Sequence, residues 1–187
     1  MKDFFETAGH RSSVRSFTRE PVSAEEWDRM LRAAMAAPSA VNRQPWEFVI
    51  IEDRTMLDAL ADSLPYAKMA RQAPGAVLVC TDPSRAYQEK VEYAVLDASA
   101  ACENLLLAAD AMGLGAVWTA VYPQPDRQAT VRKLVGIPER VIPLALVPVG
   151  HSDGEPMPKD KFRPEFIHRE RWQEHSPPVD MAPPEHD

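Results

Sequence analysis

Cysteine is scarce: Cys80 and Cys102 are the only two in 187 residues. They lie far apart and form neither a CxxC pair nor a zinc-ligand spacing. That excludes a disulfide scaffold, and the expected state is two buried free thiols in a reducing compartment. Long apolar runs are missing as well. None reaches the roughly 18 residues that a membrane span needs. The opening residues Met1-Lys2-Asp3-Phe4-Phe5-Glu6 carry no apolar signal core. The expectation is a cytoplasmic protein with no membrane attachment. Positive charge is in deficit, with a formal net charge of −7. Such a surface repels phosphate backbones, so no nucleic-acid interface is expected. A local basic pocket for one phosphate stays open.

Familiar catalytic motifs are missing too. No GxGxxG follows a strand, since Gly113-Leu114-Gly115 follows a helical pattern and lacks the third glycine. There is no Walker loop and no GxSxG elbow. The histidines, at 10, 151, 168, 175 and 186, show no metal spacing. A chain with neither a metal centre nor a hydrolytic triad can borrow its chemistry from a cofactor.

What is present reads as one α+β domain over 1–175, long enough to bury a core without staples. The remainder, 176–187, is proline-rich and has no core-forming pattern, so it is expected to be a tail or an extended arm. A short helix fits Asp3 to Gly9. Ser23-Ala24-Glu25-Glu26 is a capping box. Trp27, Met30, Leu31, Ala34 and Met35 follow it as one apolar helix face, stopped by Pro38. Strands are expected at Trp46 to Glu52, Gly75 to Cys80, Ala116 to Tyr122, and Val141 to Val149, the last broken by Pro143 and Pro148. A polar helix fits Asp53 to Ser63 and a short one Asp126 to Val135. A long helix is expected from about Ala86 to Met112. Between Ala94 and Met112 it carries formal charge only at Asp97, Glu103 and Asp110. A helix apolar nearly all round is buried on all sides. In so small a protein that points to a subunit interface.

Three clusters could carry chemistry. Arg11, Ser13 and Arg15 share a face of an extended chain. Two guanidinium forks with a hydroxyl between them suit a phosphate monoester, or make a solvated basic face. The loop Pro38-Ser39-Ala40-Val41-Asn42-Arg43-Gln44-Pro45 offers donors and acceptors for a ring edge or sugar chain, or is an ordinary turn. Lys161 and Arg163 point the same way in an extended segment. They complete a phosphate pocket or are surface charge.

In their order along the chain these segments resemble the FMN-dependent nitroreductase family, over roughly residues 4 to 172. Pro38-Ser39-Ala40-Val41-Asn42-Arg43-Gln44-Pro45-Trp46-Glu47-Phe48 is close to its PSxxNxQPWxF signature. Arg11-Ser12-Ser13-Val14-Arg15-Ser16-Phe17 resembles its RRSxRxF. Gly113-Leu114-Gly115-Ala116-Val117-Trp118 resembles the segment before the flavin-contacting strand end. Val147-Pro148-Val149-Gly150-His151 and Lys161-Phe162-Arg163 stand for the last strand and the K-x-R.

The resemblance implies a nitroreductase-like fold: a small mixed or antiparallel sheet flanked by helices, with the long helix at a homodimer interface. It implies FMN, with NADH or NADPH as reductant and a nitroaromatic, quinone or similar small molecule as electron acceptor, in a ping-pong reaction. Arg11, Ser12, Ser13 and Arg15 would hold the phosphate, ribityl chain and pyrimidine edge, with Lys161 and Arg163 joining at the phosphate. Pro38, Ser39, Ala40 and Asn42 would reach the same flavin from the other subunit. Backbone groups of Thr119, Ala120 and Val121 would face the isoalloxazine edge. The flavin carries the chemistry, so no side chain is assigned as catalytic. Two positions depart from the pattern: Ser12 replaces a second basic residue, and Ala120-Val121 replaces an acidic-glycine pair. Reductive dehalogenation, enone reduction and flavin fragmentation occur on the same fold and the motifs do not separate them, and a non-catalytic flavin-binding protein is a further alternative.

Overall fold

The computed structural model describes residues 2–155 and 157–174. The segment 176–187, expected as a tail or arm, lies outside the described residues. The elements are α1 (Phe4–His10), α2 (Ala24–Met35), β1 (Trp46–Ile51), α3 (Arg54–Ser63), β2 (Gly75–Thr81), α4 (Val91–Ala111), β3 (Gly115–Ala116), β4 (Thr119–Ala120), α5 (Pro125–Val135) and β5 (Ile142–Gly150). The sheet order is β1-β2-β5-β3, with β4 also paired to β5, and every pairing is antiparallel. This is the α+β fold expected from the sequence.

Both faces of the sheet are covered, which is why β2 reads as a continuous apolar run. Alternate residues serve opposite layers. Val77 and Val79 join Trp27, Met30, Ala98 and Leu105 beneath α2 and α4. Ala76, Leu78 and Cys80 join Leu57, Leu60 and Val131 beneath α3 and α5. Ser23 and Glu26 form the capping box at the start of α2, a contribution of about 1 kcal/mol.

Three expectations need correction. Helix α4 starts at Val91, not near Ala86. Single turns occupy Pro83–Arg85 and Tyr87–Glu89, and Gln88 (φ 55°) and Glu89 (φ 53°) are left-handed, which an α-helix cannot accommodate. The stretch Ala116 to Tyr122 is two short strands, β3 and β4, interrupted at Val117 and Trp118. Conversely, β5 runs unbroken through both prolines. N–H and C=O of one strand residue face the same way. The Pro148 carbonyl accepts from Val117 N–H (3.3 Å), so its missing donor faces the gap between β3 and β4. Pro143 sits at the bulge where the β2–β5 register shifts between Val79 and Cys80.

The end of α4 is a Schellman motif. Leu114 N–H reaches Ala109 C=O (2.9 Å), Gly113 N–H reaches Asp110 C=O (3.0 Å), and Gly113 supplies the positive φ of 83°. Within one chain α4 is not buried on all sides. Ala94, Ala98, Ala101, Leu105 and Ala109 face inward, while Leu96 remains 65% exposed. No helix among the described residues is long and apolar enough to cross a membrane.

Candidate functional site

The site starts from how the chain leaves α1. His10 Nδ1 lies 2.7 Å from Asp110 Oδ1, and Lys2 Nζ donates to Asp110 Oδ2 at 3.1 Å. Asp110 is one of four carboxylates on α4 and is buried there. It therefore fixes the residue that precedes Arg11. From Arg11 the chain is extended and pinned on both sides. Val14 N–H donates to Ala116 C=O (3.1 Å), and Ser13 bridges Ala116. Thr18 N–H donates to His151 C=O (2.9 Å), and Asp153 N–H to Ser16 C=O (3.0 Å). Only glycine fits at 115, because a Cβ there would lie 2.6 Å from Val14 Cγ1. With Val14 turned toward Gly115, alternation sends Ser13 and Arg15 to the other side.

Ser13 and Arg15 face a cleft of about 450 Å³ whose wall also takes in Arg11, Ser12, Val14, Ser16, Lys159 and Lys161 together with the loop after β5. Cationic Arg11, Arg15, Lys159 and Lys161 outnumber the carboxylates of Asp153 and Glu155 along its wall. Ser12, Ser13, Ser16 and Ser152 supply hydroxyls. The volume falls in the range of small-molecule clefts, about 300–1,000 Å³. Five of the expected site residues, Arg11, Ser12, Ser13, Arg15 and Lys161, thus meet here from opposite ends of the chain. Arg11 is partly engaged, its Nε standing 3.4 Å from Glu103 Oε1. Arg15 donates to Ser13 C=O at 3.2 Å.

Other expected residues lie elsewhere. Arg163 does not line the cleft: its Nη1 donates to Phe162 C=O, and its Nε lies 4.0 Å from Glu165. Of Thr119, Ala120 and Val121, only Ala120 is exposed, and Val121 N–H is already committed to Leu144 C=O (3.0 Å). Pro38, Ser39, Ala40 and Asn42 do not line the cleft of their own chain. Their loop is strained. Val41 (φ 45°), Asn42 (φ 57°) and Gln44 (φ 50°) are all left-handed, a position that a β-branched valine avoids. Two anchors hold it: Gln44 N–H donates to Ser39 Oγ (2.9 Å), and Ala40 N–H donates to Asp97 Oδ1 (3.0 Å). Asp97 is buried on α4, and its Oδ2 has no hydrogen-bond partner among the described residues.

Sequence reasoning missed Lys159, the β5 exit loop and Asp97. Lys159 could have been found by extending the i, i+2 alternation of Lys161 and Arg163 back one step. Asp97 was visible as a charge in an apolar helix, but its target fifty-seven residues away was not. The cysteines offer no chemistry near neutral pH. Burial pushes the Cys80 thiol up to about 12 and raises that of Cys102 as well, so both stay protonated.

Comparison with known proteins gives a consistent picture. A family model described as the nitroreductase family matches residues 8–69 and 60–151. A protein of Methanothermobacter thermautotrophicus, provisionally named NADH dehydrogenase/NAD(P)H nitroreductase, is 43% identical over 171 residues, 91% of this chain and 88% of its own. A solved structure of the same provisional name from Parabacteroides distasonis superposes with a TM-score of 0.86 at 45% identity, covering 92% of this chain and 100% of that one. The NADPH:FMN oxidoreductase of Vibrio harveyi, solved with NAD+, gives a TM-score of 0.82 at 26% identity, covering 92% of this chain and 79% of its own.

Proposed function

The chain belongs to the nitroreductase family, and from that premise we propose that it is an FMN-dependent oxidoreductase moving two electrons from NADH or NADPH to a small acceptor. The observation that carries this reading is the meeting of Arg11, Ser12, Ser13, Arg15 and Lys161 on one cleft. Those residues fit the cofactor. Guanidinium forks and an ammonium suit a phosphate, and serine hydroxyls suit a ribityl chain. When bound, FMN would supply two-electron chemistry between the nicotinamide and a nitroaromatic, a quinone or a similar acceptor. The protein's part is to hold, orient and neutralise. Arg11 and Lys161, with Lys159, take the phosphate. Arg15 steadies negative charge at the pyrimidine end. Ala120 is the exposed residue of the segment assigned to the isoalloxazine edge. Arg163 joins the phosphate only through a change of rotamer that releases Glu165.

The working unit in this reading is a homodimer with two sites, each shared across the interface. The support is threefold. Leu96 is exposed on α4, Phe162, Phe166 and Trp172 are exposed on the segment after β5, and the strained loop of Pro38, Ser39, Ala40 and Asn42 does not line its own chain's cleft. We place the protein in the cytoplasm, where NAD(P)H is available and two free thiols persist. The test is direct. The protein reconstituted with FMN should retain one flavin per subunit and oxidise NAD(P)H when a quinone or nitro compound is added. Double-reciprocal plots at several acceptor concentrations should be parallel, the signature of donor and acceptor alternating in one site. Failure to retain FMN sinks the reading, and intersecting lines sink the alternation.

A further inference from the structure

Arg127 stands in the first turn of α5, and its Nη1 donates to the carbonyl of Ala120 at 3.1 Å. Its guanidinium carbon lies 5.2 Å from the ring centroid of Tyr66, which is itself exposed. Three separate pieces of chain, the turn before residues 68–71, the end of β4 and the start of α5, therefore converge on one small surface. Most arginines of this acidic protein stand beside a carboxylate: Arg32 by Asp28, Arg85 by Glu47 and Arg140 by Asp82, among others. Among the described residues no carboxylate is paired with Arg127, and Ala120 is the one acceptor its hydrogen bonds reach. A cation held by a neutral carbonyl and an aromatic face keeps its charge and its remaining N–H donors for something else.

We propose that Arg127, with Tyr66 beside it, is the subsite that selects electron acceptors carrying a carboxylate on an aromatic ring. The inference rests on the reading above, in which Ala120 marks the flavin edge. Arg127 is fixed to Ala120 itself, so an anion on its free donors lies next to an acceptor held over that edge. The Tyr66 ring offers the acceptor's aromatic body an apolar contact. The reaction served is balanced without another reactant. An aromatic nitro group, NAD(P)H and one proton give the nitroso compound, NAD(P)+ and water.

The test uses the FMN-loaded protein and two nearly isosteric acceptors, 4-nitrobenzoate and 4-nitrobenzamide, which differ in charge. The wild type should favour the carboxylate by about tenfold in kcat/KM, equivalent to about 1.4 kcal/mol. In Arg127→Gln that ratio should fall to near one, through KM for the carboxylate rather than kcat. Arg127→Lys, which keeps charge but loses the planar fork, should fall between the two. Raising the salt concentration should erode the wild-type preference. An unchanged ratio in Arg127→Gln overturns the subsite while retained flavin and turnover leave the oxidoreductase reading standing. The 2′-phosphate of NADPH is the other anion that could seek this arginine. A shift in the NADPH-to-NADH ratio without a shift in the carboxylate-to-amide ratio would therefore also overturn the proposal. Loss of FMN by the wild type would overturn both readings together.

Discussion

Asp97 offers a sharp test of how the strained loop is held. Its Oδ1 accepts the Ala40 amide at 3.0 Å, its side chain is buried, and its Oδ2 has no partner among the described residues. Two terms therefore oppose each other in Asp97→Ala. Losing a hydrogen bond to a charged group costs about 1.5–3 kcal/mol, while removing a buried oxygen that lacks a partner returns about 1–3 kcal/mol. Global stability should change by no more than about 2 kcal/mol. The loop has no such compensation. Val41, Asn42 and Gln44 occupy left-handed backbone at a cost of order 1 kcal/mol or more each, and without the anchor they relax. If the loop contacts flavin, affinity for FMN should drop about 10- to 100-fold, or about 1.4–2.8 kcal/mol. Asp97→Asn retains an acceptor for the Ala40 amide and should recover most of that affinity. Urea unfolding and FMN fluorescence titration on the same samples separate the two effects. If both variants lose more than about 3 kcal/mol of stability, the upper end of the bond term with nothing offset, while FMN binds as before, the anchor argument is wrong.

Three further outcomes follow from the geometry. Arg11→Ala should weaken FMN by about 1.5–3 kcal/mol, the scale of a charge-assisted bond. Glu103→Gln, which frees Arg11 from its 3.4 Å contact, should not weaken it, and equal losses in both would show that Arg11 serves the fold. Leu96→Glu places a carboxylate on the exposed stripe of α4 and should give a folded monomer by sedimentation, whereas Leu105→Glu, buried within its own chain, should fail to fold. A Leu96→Glu protein that remains dimeric would remove that stripe from the interface. The buried Cys80 thiol titrates at about 12 when folded, against 9.0 for the free group. The unfolded state thus loses its proton first as pH rises. The thiol's contribution is fully present below pH 9 and is lost between 9 and 12, at about 1.4 kcal/mol per pH unit. Stability against urea should fall less steeply with pH in Cys80→Ala than in the wild type, and parallel profiles would contradict the burial argument.

Much of the architecture was legible because local chemistry dictates it. The capping box at Ser23 and Glu26, the glycine stop at Gly113 and the apolar run of β2 each determine their element from a few adjacent residues. What misled was non-local. Pro143 and Pro148 look like breakers in isolation. They are tolerated in β5 because one sits at a bulge in the neighbouring pair and the other faces a gap in the sheet. Val91 begins α4 because two tight turns spend the preceding residues, a choice that helix propensity does not reveal.

The cleft was legible for a different reason. Arg11, Ser13 and Arg15 needed only an extended backbone to share a side, and β3 supplies the edge that keeps it extended. Lys161 reached the same place because β5 runs antiparallel to β3 and returns the chain beside residues 13–17. Order along the sequence thus became convergence in space through one strand pairing. The loop of Ser39 and Asn42 obeys no such rule. It is held away from its own chain's cleft, by Asp97 on α4, the helix whose outward Leu96 is left uncovered. In the proposed dimer a second subunit meets that strained loop, so the interface and the flavin site stand or fall together in that reading. Disrupting α4 at Leu96 should therefore cost flavin even though Leu96 lines no part of the Arg11 cleft.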